Sequence, residues 1–530
     1  MDEARGLEAG QRVRVGDPDD PAETHAATVR YVGELEGHRG TYVGVEWDAA
    51  GRGKNDGSVG GRRYFAGPGP ASCSFLRAKH LAAGRPLLAE LRGKYCEGEA
   101  IDPALVDMTV HTVTNRDVRV ELRAEGPAAD LAAMRKAYLP FSNVVSAGPA
   151  GEVRAAAGQL AELDLSASLL NEWGELDRIG AELPGLRVLD ASRIRFRLPA
   201  PAAALPVDRL AGLRVLVLNR TGLPWRLAAG ALAALPELRA FHFCGNGVAS
   251  LDAGAGAALA GCARLETLIL EDNALAAWAG VEAAFGALPR LERLQLSGNA
   301  LAGVGRPGPA AWGRLRVLLL GRNAIADWGS VDALDAFPAL EELRLSDNPV
   351  LGGGARAGGR HVAVARVRKL RHLNGSPVTE RERRESELRY LRNFIYEHGL
   401  PEGETLANAA RDHPRLPELL VAYRESISAP TNSWNDQGSA LQDSVMKIHL
   451  TCVVPGVEKP SKKKRVPRDT TLGKLKVLIA RIFDVGVEQQ KLFLKSERDP
   501  VPVALTDDAA DLHYLGVAEG NEILVNTVAA

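Results

Sequence analysis

The sequence predicts a multidomain protein with a small β-barrel, an α/β solenoid of repeats and a C-terminal α+β domain. Three observations support this. Short valine-rich and glycine-rich segments alternate near the N-terminus, a leucine pattern recurs every 24 to 27 residues in the middle, and strand-like and helix-like segments follow residue 446. The chain has 530 residues. That is about three to four times the length of a typical domain, so several domains are expected.

The composition is that of an ordinary folded protein without an overall charge. Hydrophobic residues make up 46% and charged residues 25% of the chain, and 65 Lys and Arg face 66 Asp and Glu, a net charge of -1. This balance argues against nucleic acid and anionic membranes as partners, because both attract proteins through an excess of positive charge. No apolar run reaches the roughly 18 to 20 residues that a membrane-spanning helix needs.

The chain carries none of the common signals for secretion or catalysis. Residues 1–5 are largely charged, so no secretory signal is expected. The five cysteines are scattered without a CxxC pair, which argues against a disulfide framework or a cysteine zinc site and is typical of the cytoplasm. Neither HExxH nor GxxxxGK[ST] occurs. We therefore expect no catalytic residues, no metal, no cofactor and no enzymatic activity.

Residues 10–82 carry the pattern of the small barrel. Valines alternate in short runs, as at Val43 and Val45, and glycines separate the runs. The sharpest motif is Gly53-Lys54-Asn55-Asp56-Gly57, which is followed by Tyr64, Phe65 and Phe75. From Arg39 to Lys79 there are seven Lys or Arg and three Asp or Glu, a local surplus of +4. Glycines at this density would also be consistent with tight turns alone.

The complete motif resembles a CAP-Gly domain, a barrel that binds acidic C-terminal tails ending in Glu-Glu-Tyr or Glu-Glu-Phe. The resemblance implies that Lys54 and Asn55 contact the carboxylates and backbone of such a tail. It also implies an apolar groove lined by Tyr42, Trp47 and Phe75. The sequence departs from the family at Tyr42, where Trp is more common, and at residues 72–73, where Ser and Cys replace two glycines.

Residues 83–155 form a connecting region with weaker signals. The stretch Asp107–Leu122 predicts two strands. Pro127 is expected to open a helix that runs to about Ala137, because proline suits the first helical position.

Residues 156–375 are predicted to be a leucine-rich-repeat solenoid. The pattern LxxLxL begins at Leu160, Leu186, Leu213, Leu238, Leu265, Leu291, Leu315 and Leu340. Eight residues after each of the last five starts stands an asparagine, at Asn246, Asn273, Asn299, Asn323 and Asn348. The spacing and the LxxLxLxxN signature are typical of such repeats. We expect the leucines to form a stacked core and the asparagine amides to hydrogen-bond the bend after each strand.

The strand residues that alternate with the core leucines predict the concave face of the solenoid. The middle of this face is expected to expose an apolar patch, with two arginines toward one end. The predicted set is Val215, Val217, Ile269, Arg293, Val317, Leu319 and Arg344. An exposed apolar patch indicates a partner surface. The alternative is that these residues only reflect the preference of Val and Ile for strands.

Residues 376–445 are predicted to hold a capping helix and a linker. The helix is expected over Thr379–His398, with Leu388, Leu391 and Ile395 on one stripe, and it would cover the end of the solenoid. A short helical stretch is expected around Leu416–Tyr423.

Residues 446–528 predict a strand, a hairpin, the helix Leu472–Phe483 and two further strands, an order that resembles a β-grasp, or ubiquitin-like, domain. The basic run Lys462–Arg465 is expected to be a solvated loop at the first hairpin turn, with a nuclear-localisation or nucleic-acid patch as the weaker alternative. The sequence ends at Val528–Ala530 without the Gly-Gly that conjugation needs. We therefore expect this domain to dock a partner.

The order of the three domains resembles the tubulin-folding cofactor E family. The resemblance implies a non-enzymatic chaperone that holds α-tubulin by its acidic C-terminal tail and by its body. It would act with other tubulin-folding cofactors, chiefly cofactor D, in assembly of the α/β-tubulin heterodimer, in the cytoplasm and associated with the cytoskeleton. Two alternatives remain open: a microtubule-associated CAP-Gly adaptor, although no sustained heptads occur, and a proteasome shuttle that uses its ubiquitin-like domain.

Overall fold

The computed structural model describes most of the chain. The described residues are 6–16, 24–49, 51–96, 109–111, 117–119, 130–198, 204–251, 259, 261–352, 359–428, 445–453, 461–467, 470–495, 502–505, 508, 510–512 and 515–527. The chain divides into two compact units, the first made of residues 1–108, 120–247 and 257–265, and the second of residues 109–119, 248–256 and 266–530. The multidomain fold class that the sequence predicts is confirmed, and each unit is described separately.

The first unit begins with an antiparallel five-stranded sheet that curls around a small valine core. In the order in which they pair, the strands are Cys73–Leu76, Thr41–Trp47, His25–Glu34, Arg12–Val15 and Leu81–Ala83. A short hairpin of Ser58–Val59 and Arg62–Arg63 lies in the segment that connects the strand Thr41–Trp47 to the strand Cys73–Leu76. Val13, Val29, Val43 and Val45 are fully buried, because alternate residues of each strand face the inside of the sheet. A 3-10 helix, Ala78–His80, precedes the last strand.

The connecting region differs from its prediction. It contains a helix that the sequence did not indicate, Leu87–Tyr95, and a second helix, Glu152–Ala157. A short parallel pair joins Arg85–Pro86 to Val144–Ser146. The two strands expected between Asp107 and Leu122 are present as Thr109–His111 and Asp117–Arg119.

The helix predicted from Pro127 to Ala137 is wrong in its described part. Residues 131–133 form a turn and Lys136–Tyr138 is a strand, while residues 127–129 lie outside the described residues. The strand pairs in parallel with Glu162–Asp164, so its backbone groups are satisfied by the first repeat. This pairing outweighs the local preference for a helix.

The repeats of the first unit add four more parallel strands to Lys136–Tyr138. These strands are Glu162–Asp164, Val188–Asp190, Val215–Val217 and Ala240–His242. The helices Trp173–Glu182 and Trp225–Ala233 and the 3-10 helix Asp208–Leu210 lie in the connections. The middle residue of each strand is fully buried, as at Leu189 and Phe241, which confirms the predicted stacked core.

The repeats of the second unit form a parallel sheet of five strands with one antiparallel strand at its end. The strands are Thr267–Ile269, Arg293–Gln295, Val317–Leu319, Glu342–Arg344, His372–Leu373 and Ser376–Pro377. The connecting helices are Trp278–Phe285, Trp328–Asp335 and Gly359–Arg366, with a 3-10 helix at Pro349–Leu351.

The predicted role of the asparagines is confirmed within this sheet. The Asn299 amide donates to the carbonyl oxygens of Leu270 (3.0 Å) and Leu296 (2.9 Å). Its oxygen accepts a hydrogen bond from the Leu275 amide at 3.0 Å. One side chain thus satisfies three backbone groups at the bend.

The capping helix is Glu380–His398, and Thr379 caps it by accepting a hydrogen bond from the Glu382 amide at 3.1 Å. Of the predicted stripe, Leu391 is buried and Leu388 and Ile395 are half-buried, while Tyr390 and Phe394 are buried beside Leu391. Three further helices follow: Gly403–Asp412, Leu416–Ala422 and Arg424–Ser428. Most of the predicted linker up to residue 428 is therefore helical. Its helices pack against the capping helix, which stabilises them.

The C-terminal domain has a mixed sheet packed against one helix. In the order in which they pair, its strands are Lys462–Pro467, Val445–Cys452, Glu522–Thr527, Gln490–Lys495 and Val503–Leu505. The helix is Leu472–Phe483, as predicted, and a 3-10 helix spans Val487–Gln489. The basic run Lys462–Arg465 lies in a strand, so its prediction as a loop was wrong. Throughout the described residues, every helix is too short or too polar to cross a membrane.

Candidate binding groove on the N-terminal barrel

The glycine-rich loop 53–57 is clamped against the strand Cys73–Leu76. The Gly53 amide donates to the Ala71 oxygen at 2.8 Å, the Lys54 amide donates to the Cys73 oxygen at 2.7 Å, and the Cys73 amide donates to the Asn55 oxygen at 2.9 Å. A Cβ on Gly53 would lie 2.2 Å from the Cys73 nitrogen. The loop therefore requires glycine at this position, since no side chain fits between the two backbones.

The loop presents Lys54 to solvent and uses Asn55 partly for its own structure. The Asn55 side-chain oxygen accepts a hydrogen bond from the Gly57 amide at 3.1 Å, which leaves the two amide protons of Asn55 for other acceptors. Lys54 is exposed, and among the residues that the structure describes its ammonium has no carboxylate within ion-pair distance. Asp56 instead pairs with Arg63 at 2.7 Å. The Lys54 charge is thus available to an anionic ligand.

An aromatic cluster surrounds Phe75 on the outer face of the sheet. Its ring makes edge contacts with Tyr31, Tyr64 and Phe65 at centroid distances of 6.2, 5.6 and 5.5 Å. The floor below the rings is the backbone of Gly44, where an added Cβ would lie 2.5 Å from the Phe65 ring. All four rings are half-buried. They form an apolar surface that can take one more ring, and edge-to-face contacts are favourable between aromatic side chains.

Two of the three predicted groove residues lie on this outer face. Tyr42 and Phe75 alternate with core residues, whereas Trp47 is in phase with Val43 and Val45 and packs against the barrel core. The Trp47 nitrogen donates to the Ser74 hydroxyl oxygen at 3.0 Å. The expectation that Trp47 lines the same groove as Phe75 is therefore corrected, since the sheet separates the two rings.

Tyr42 is held by an arginine that the sequence analysis did not single out. The Arg77 guanidinium lies 3.9 Å from the centre of the Tyr42 ring and donates to its hydroxyl at 2.9 Å. Tyr31 was also missed. Strict alternation from Val29 would place Tyr31 in the core, but a bulge between the two residues turns it to the outer face.

Two buried arginines of this barrel donate hydrogen bonds to the connecting region and to the first repeat, within the same unit. Arg14 donates to the carbonyl oxygens of Ser142 and Ala167, both at 2.7 Å. Arg12 donates to the Leu169 oxygen at 3.2 Å and pairs with Asp48 at 2.5 Å. Burial lowers the pKa of Arg14 to about 10. In the sequence, the only indication of this role is that both arginines alternate with the core valines of the strand Arg12–Val15.

Replacing Arg14 with Ala should destabilise the first unit by about 2–4 kcal/mol, because buried carbonyl groups lose charge-assisted hydrogen bonds. Chemical denaturation followed by circular dichroism measures this. Arg39→Ala, which truncates an exposed arginine of the same barrel, is the matched control and should change stability little. Equal stabilities of the two variants would show that the carbonyl contacts of Arg14 contribute nothing.

The predicted concave patch is largely buried. Val217, Ile269 and Leu319 are 1%, 8% and 6% exposed, so their predicted exposure was wrong. Val217 lies between Asp190 and His242, and Leu319 between Gln295 and Arg344, on strands about 4.8 Å away. Ile269 pairs with Gln295 on the next strand of the second unit. The other members of the predicted set, Val215, Arg293, Val317 and Arg344, are half-buried. Partner binding by this face stays a prediction.

Charged and polar groups flank Val217 in the first unit. The pKa of Asp190 is raised to about 6, mainly by burial of its carboxyl group and secondly by the neighbouring Asp164 carboxylate. Burial lowers the pKa of His242 to about 3, and within the described part of the chain its Nε2 atom has no hydrogen-bond partner. This part of the face therefore carries a carboxyl group that is partly protonated near neutral pH.

Asp190→Asn should stabilise the protein at pH 7.5 by about 1–3 kcal/mol. The folded-state pKa lies above the unfolded value of about 3.9, so the ionised carboxylate destabilises the fold above pH 6 and the neutral amide does not. The gain should shrink as the pH falls from 6 and vanish near pH 4. Thermal unfolding across this range checks it, with the exposed Asp208→Asn as control. A gain that does not vary with pH would contradict the raised pKa.

Two domains of the chain match known protein families, and the whole chain is similar to named relatives. The family model of the CAP-Gly domain matches residues 9–81, and that of a ubiquitin-like domain matches residues 447–528. "Tubulin-folding cofactor E" of Arabidopsis thaliana is 34% identical over 94% of this chain and 94% of its own length. "Tubulin-specific chaperone E" of Xenopus laevis is 28% identical over 94% of this chain and 96% of its own length.

Among solved structures, the chain is similar to the C-terminal ubiquitin-like domain of mouse tubulin-specific chaperone e. That solution structure is 23% identical and covers 18% of this chain and 96% of its own, with a TM-score of 0.16.

Proposed function

The chain belongs to the tubulin-folding cofactor E family, also named tubulin-specific chaperone E, and we propose that it is a chaperone that binds α-tubulin during assembly of the α/β-tubulin heterodimer. The proposed activity is binding rather than catalysis. It would take place in the cytoplasm, in association with the cytoskeleton. Other tubulin-folding cofactors, chiefly cofactor D, would take part in the assembly.

The observation that carries this proposal is the exposed Lys54 on a clamped loop of the barrel that also holds the Phe75 cluster. A polypeptide tail that ends in acidic residues and an aromatic residue matches both features. Its carboxylates would pair with Lys54 and accept hydrogen bonds from the Asn55 amide, while its terminal ring would pack on the Phe75 cluster. Charge-assisted hydrogen bonds and aromatic burial are the two interactions that such a short segment can offer.

A tail of a few residues gives only modest affinity, because ordering a flexible segment opposes the small area that it buries. We therefore propose that the repeats contribute a second contact to the body of α-tubulin. In the first unit Val215 is half-buried on the predicted concave face, and in the second unit Arg293, Val317 and Arg344 are half-buried there. Linking two weak sites in one chain raises the overall affinity through effective concentration.

Size-exclusion co-elution of the full chain with unpolymerised tubulin tests this proposal. We expect co-elution with intact tubulin and weaker co-elution after the acidic tail of α-tubulin is removed by proteolysis. Residual binding to the tailless protein would come from the repeats, and Arg293→Glu should reduce it.

Co-sedimentation with microtubules and pull-down with purified proteasomes separate the two alternatives. Binding to polymerised microtubules but not to free tubulin would favour the adaptor. Binding to purified proteasomes, with no retention of tubulin, would favour the shuttle. Either result would contradict the proposed chaperone.

A further inference from the structure

We propose that a row of exposed arginines on the repeats of the first unit binds the acidic stretch that precedes the end of a polypeptide tail. The arginine row consists of Arg193, Arg195, Arg197 and Arg220. This inference deepens the proposed function and rests on it for the identity of the tail. None of the four arginines belongs to the barrel that carries the candidate groove.

The second and third repeats are strongly basic between residues 191 and 226. This stretch has seven arginines and one acidic residue, Asp208, a local surplus of +6 in a chain whose net charge is -1. It contains no lysine. The planar guanidinium of arginine binds a carboxylate through two parallel hydrogen bonds, which the ammonium of lysine cannot do. The composition is therefore typical of a surface that binds anions.

Three of the arginines lie on the outside of one short segment. Burial alternates along it, because Ile194 is buried and the half-buried Phe196 ring packs on Trp173 at a centroid distance of 5.1 Å. The residues between them are exposed, and they are Arg193, Arg195 and Arg197. Alternate residues of a chain are at most about 7 Å apart. Their charges therefore form one continuous positive surface.

Arg220 extends the row onto the next repeat. Arg193 and Arg220 occupy the same position in consecutive repeats and share a left-handed backbone, with φ of 59° and 56°. The Arg193 amide donates to the Asn219 oxygen at 2.7 Å, so the two backbones are neighbours about 4.8 Å apart. The Arg220 side chain lies over Gly245, where an added Cβ would be 2.9 Å from its Cγ atom. Glycine thus leaves room for this arginine beside Arg193.

The charge of the row is largely uncompensated. Among the residues that the structure describes, none of its four arginines has a carboxylate within ion-pair distance. Glu172, which forms a backbone bridge with Arg197, can offset only one of the four charges. In the second unit, Asp272 and Arg322 occupy the repeat position of Arg220 and pair at 3.0 Å. Like charges on neighbouring strands repel each other, so an unpaired row is better explained by an anionic partner.

The row contacts the barrel within the same unit. The Arg197 guanidinium donates to the Thr28 hydroxyl oxygen at 3.4 Å. Thr28 pairs with Glu46 on the next strand. Glu46 pairs in turn with Cys73, which bridges to Asn55 of the glycine-rich loop. Three strand spacings, roughly 14 Å in all, therefore separate the contact of the row from that loop.

This path follows the outer face of the barrel sheet, which also carries the Phe75 cluster. Thr28 and Glu46 alternate with core valines, as does Gly44 at the floor of the cluster. The Glu46 carboxylate is paired with Arg30 at 2.7 Å. Four or five residues of an extended tail span roughly 14 Å. An acidic tail that leaves the loop along this face therefore meets the arginine row next.

Nucleic acid is the other polyanion to consider. Single strands are held by exposed rings that stack on the bases. The ring between the arginines, Phe196, instead packs inward on Trp173. The continuity of the row with the candidate groove also favours the acidic stretch of a tail.

The test compares two labelled peptides that end in Glu-Glu-Tyr, by fluorescence anisotropy with the full chain. One carries about ten glutamates before that end, a length that covers both the path and the row, and the other carries glycine and serine in their place. We expect the glutamate peptide to bind about tenfold more tightly and to lose more affinity as salt is added. Arg193→Asn combined with Arg195→Gln should remove most of this advantage and leave the affinity for the glycine–serine peptide unchanged. Asn tolerates the positive φ of Arg193.

The matched control is Arg209→Gln combined with Arg214→Gln. It removes the same charge from two exposed arginines of the same unit. Arg214 precedes the strand Val215–Val217, whereas Arg220 follows it, so the control lies at the other end of the strand. We expect less than a twofold change in the affinity for either peptide. Circular dichroism checks that both double variants are folded.

Equal affinities of wild type for the two peptides would overturn the proposal and leave the barrel groove unaffected. Equal losses in the row variant and in the control would overturn it as well. If Lys54→Glu does not weaken the glycine–serine peptide, the proposed groove is wrong, and a glutamate advantage that still depends on Arg193 and Arg195 would support the row alone. Tighter binding of an oligothymidylate than of the glutamate peptide, lost in the row variant, would assign the row to nucleic acid instead.

Discussion

A peptide that ends in Glu-Glu-Tyr should bind at least about a hundredfold more weakly when Lys54 is changed to Glu and Asn55 to Asp in the same chain. The two changes remove charge-assisted hydrogen bonds worth about 1.5–3 kcal/mol each, and two such losses correspond to a factor of about one hundred or more. Asn55→Asp keeps the oxygen that accepts from the Gly57 amide, so the loop should retain its conformation. Isothermal titration calorimetry with the full chain measures the affinity.

The matched control is Lys474→Glu, which makes a similar change of charge on an exposed helix of the C-terminal domain. It should bind the peptide like wild type. A peptide without the terminal Tyr should bind more weakly to every variant, because the Phe75 cluster then loses its apolar partner. If the double variant retains the wild-type affinity, the tail does not bind at the loop 53–57.

The second large effect is expected on stability. Asn299→Ala should lower the free energy of unfolding by about 2–4 kcal/mol, since it leaves the Leu275 amide without its partner, at about 1–3 kcal/mol, and removes one of two donors from each of the Leu270 and Leu296 oxygens. These two oxygens keep the amides of Asn273 and Asn323 as donors. Asn299 is buried, so water does not readily replace its amide. Urea denaturation followed by circular dichroism at pH 7.5 measures the loss.

Thr221→Ala is the control at the same position of an earlier repeat. The one proton of the Thr221 hydroxyl lies within reach of the Asn246 side-chain oxygen at 2.9 Å and the Leu218 oxygen at 3.3 Å, and the hydroxyl accepts a long hydrogen bond from the Leu223 amide at 3.4 Å. We expect a loss of about 1 kcal/mol for this variant. If both variants lose equal stability, the asparagine has no special role and the bend tolerates an unsatisfied Leu275 amide.

Which face a strand residue occupies, and how far it is covered, depends on strand register and on neighbouring strands, and three predicted placements fail for this reason. Tyr31 was missed because a one-residue bulge after Val29 reverses which face the following side chains occupy. The resemblance to a CAP-Gly domain assigned Trp47 to the groove by its position, whereas its register in the strand places it with the core valines. Val217, Ile269 and Leu319 were expected to be exposed because they alternate with core leucines, but neighbouring strands cover them.

Local sequence by itself determined the class of each domain. Periodicity in leucine and the alternation of valines are properties of a few adjacent residues, and each predicted an element that the structure contains. The motif at residues 53–57 was identified by its resemblance to a CAP-Gly domain, whereas the close approach of its backbone to the strand Cys73–Leu76 was not predicted.

The tertiary structure alone decided which side chains meet. The cluster of Tyr31, Tyr64, Phe65 and Phe75 draws on three separate segments of the barrel. The seat of Arg14 on Ser142 and Ala167 joins residues more than a hundred positions apart. Such contacts depend on strand register and on the pairing of distant segments, and a single inserted residue changes both without altering the local pattern.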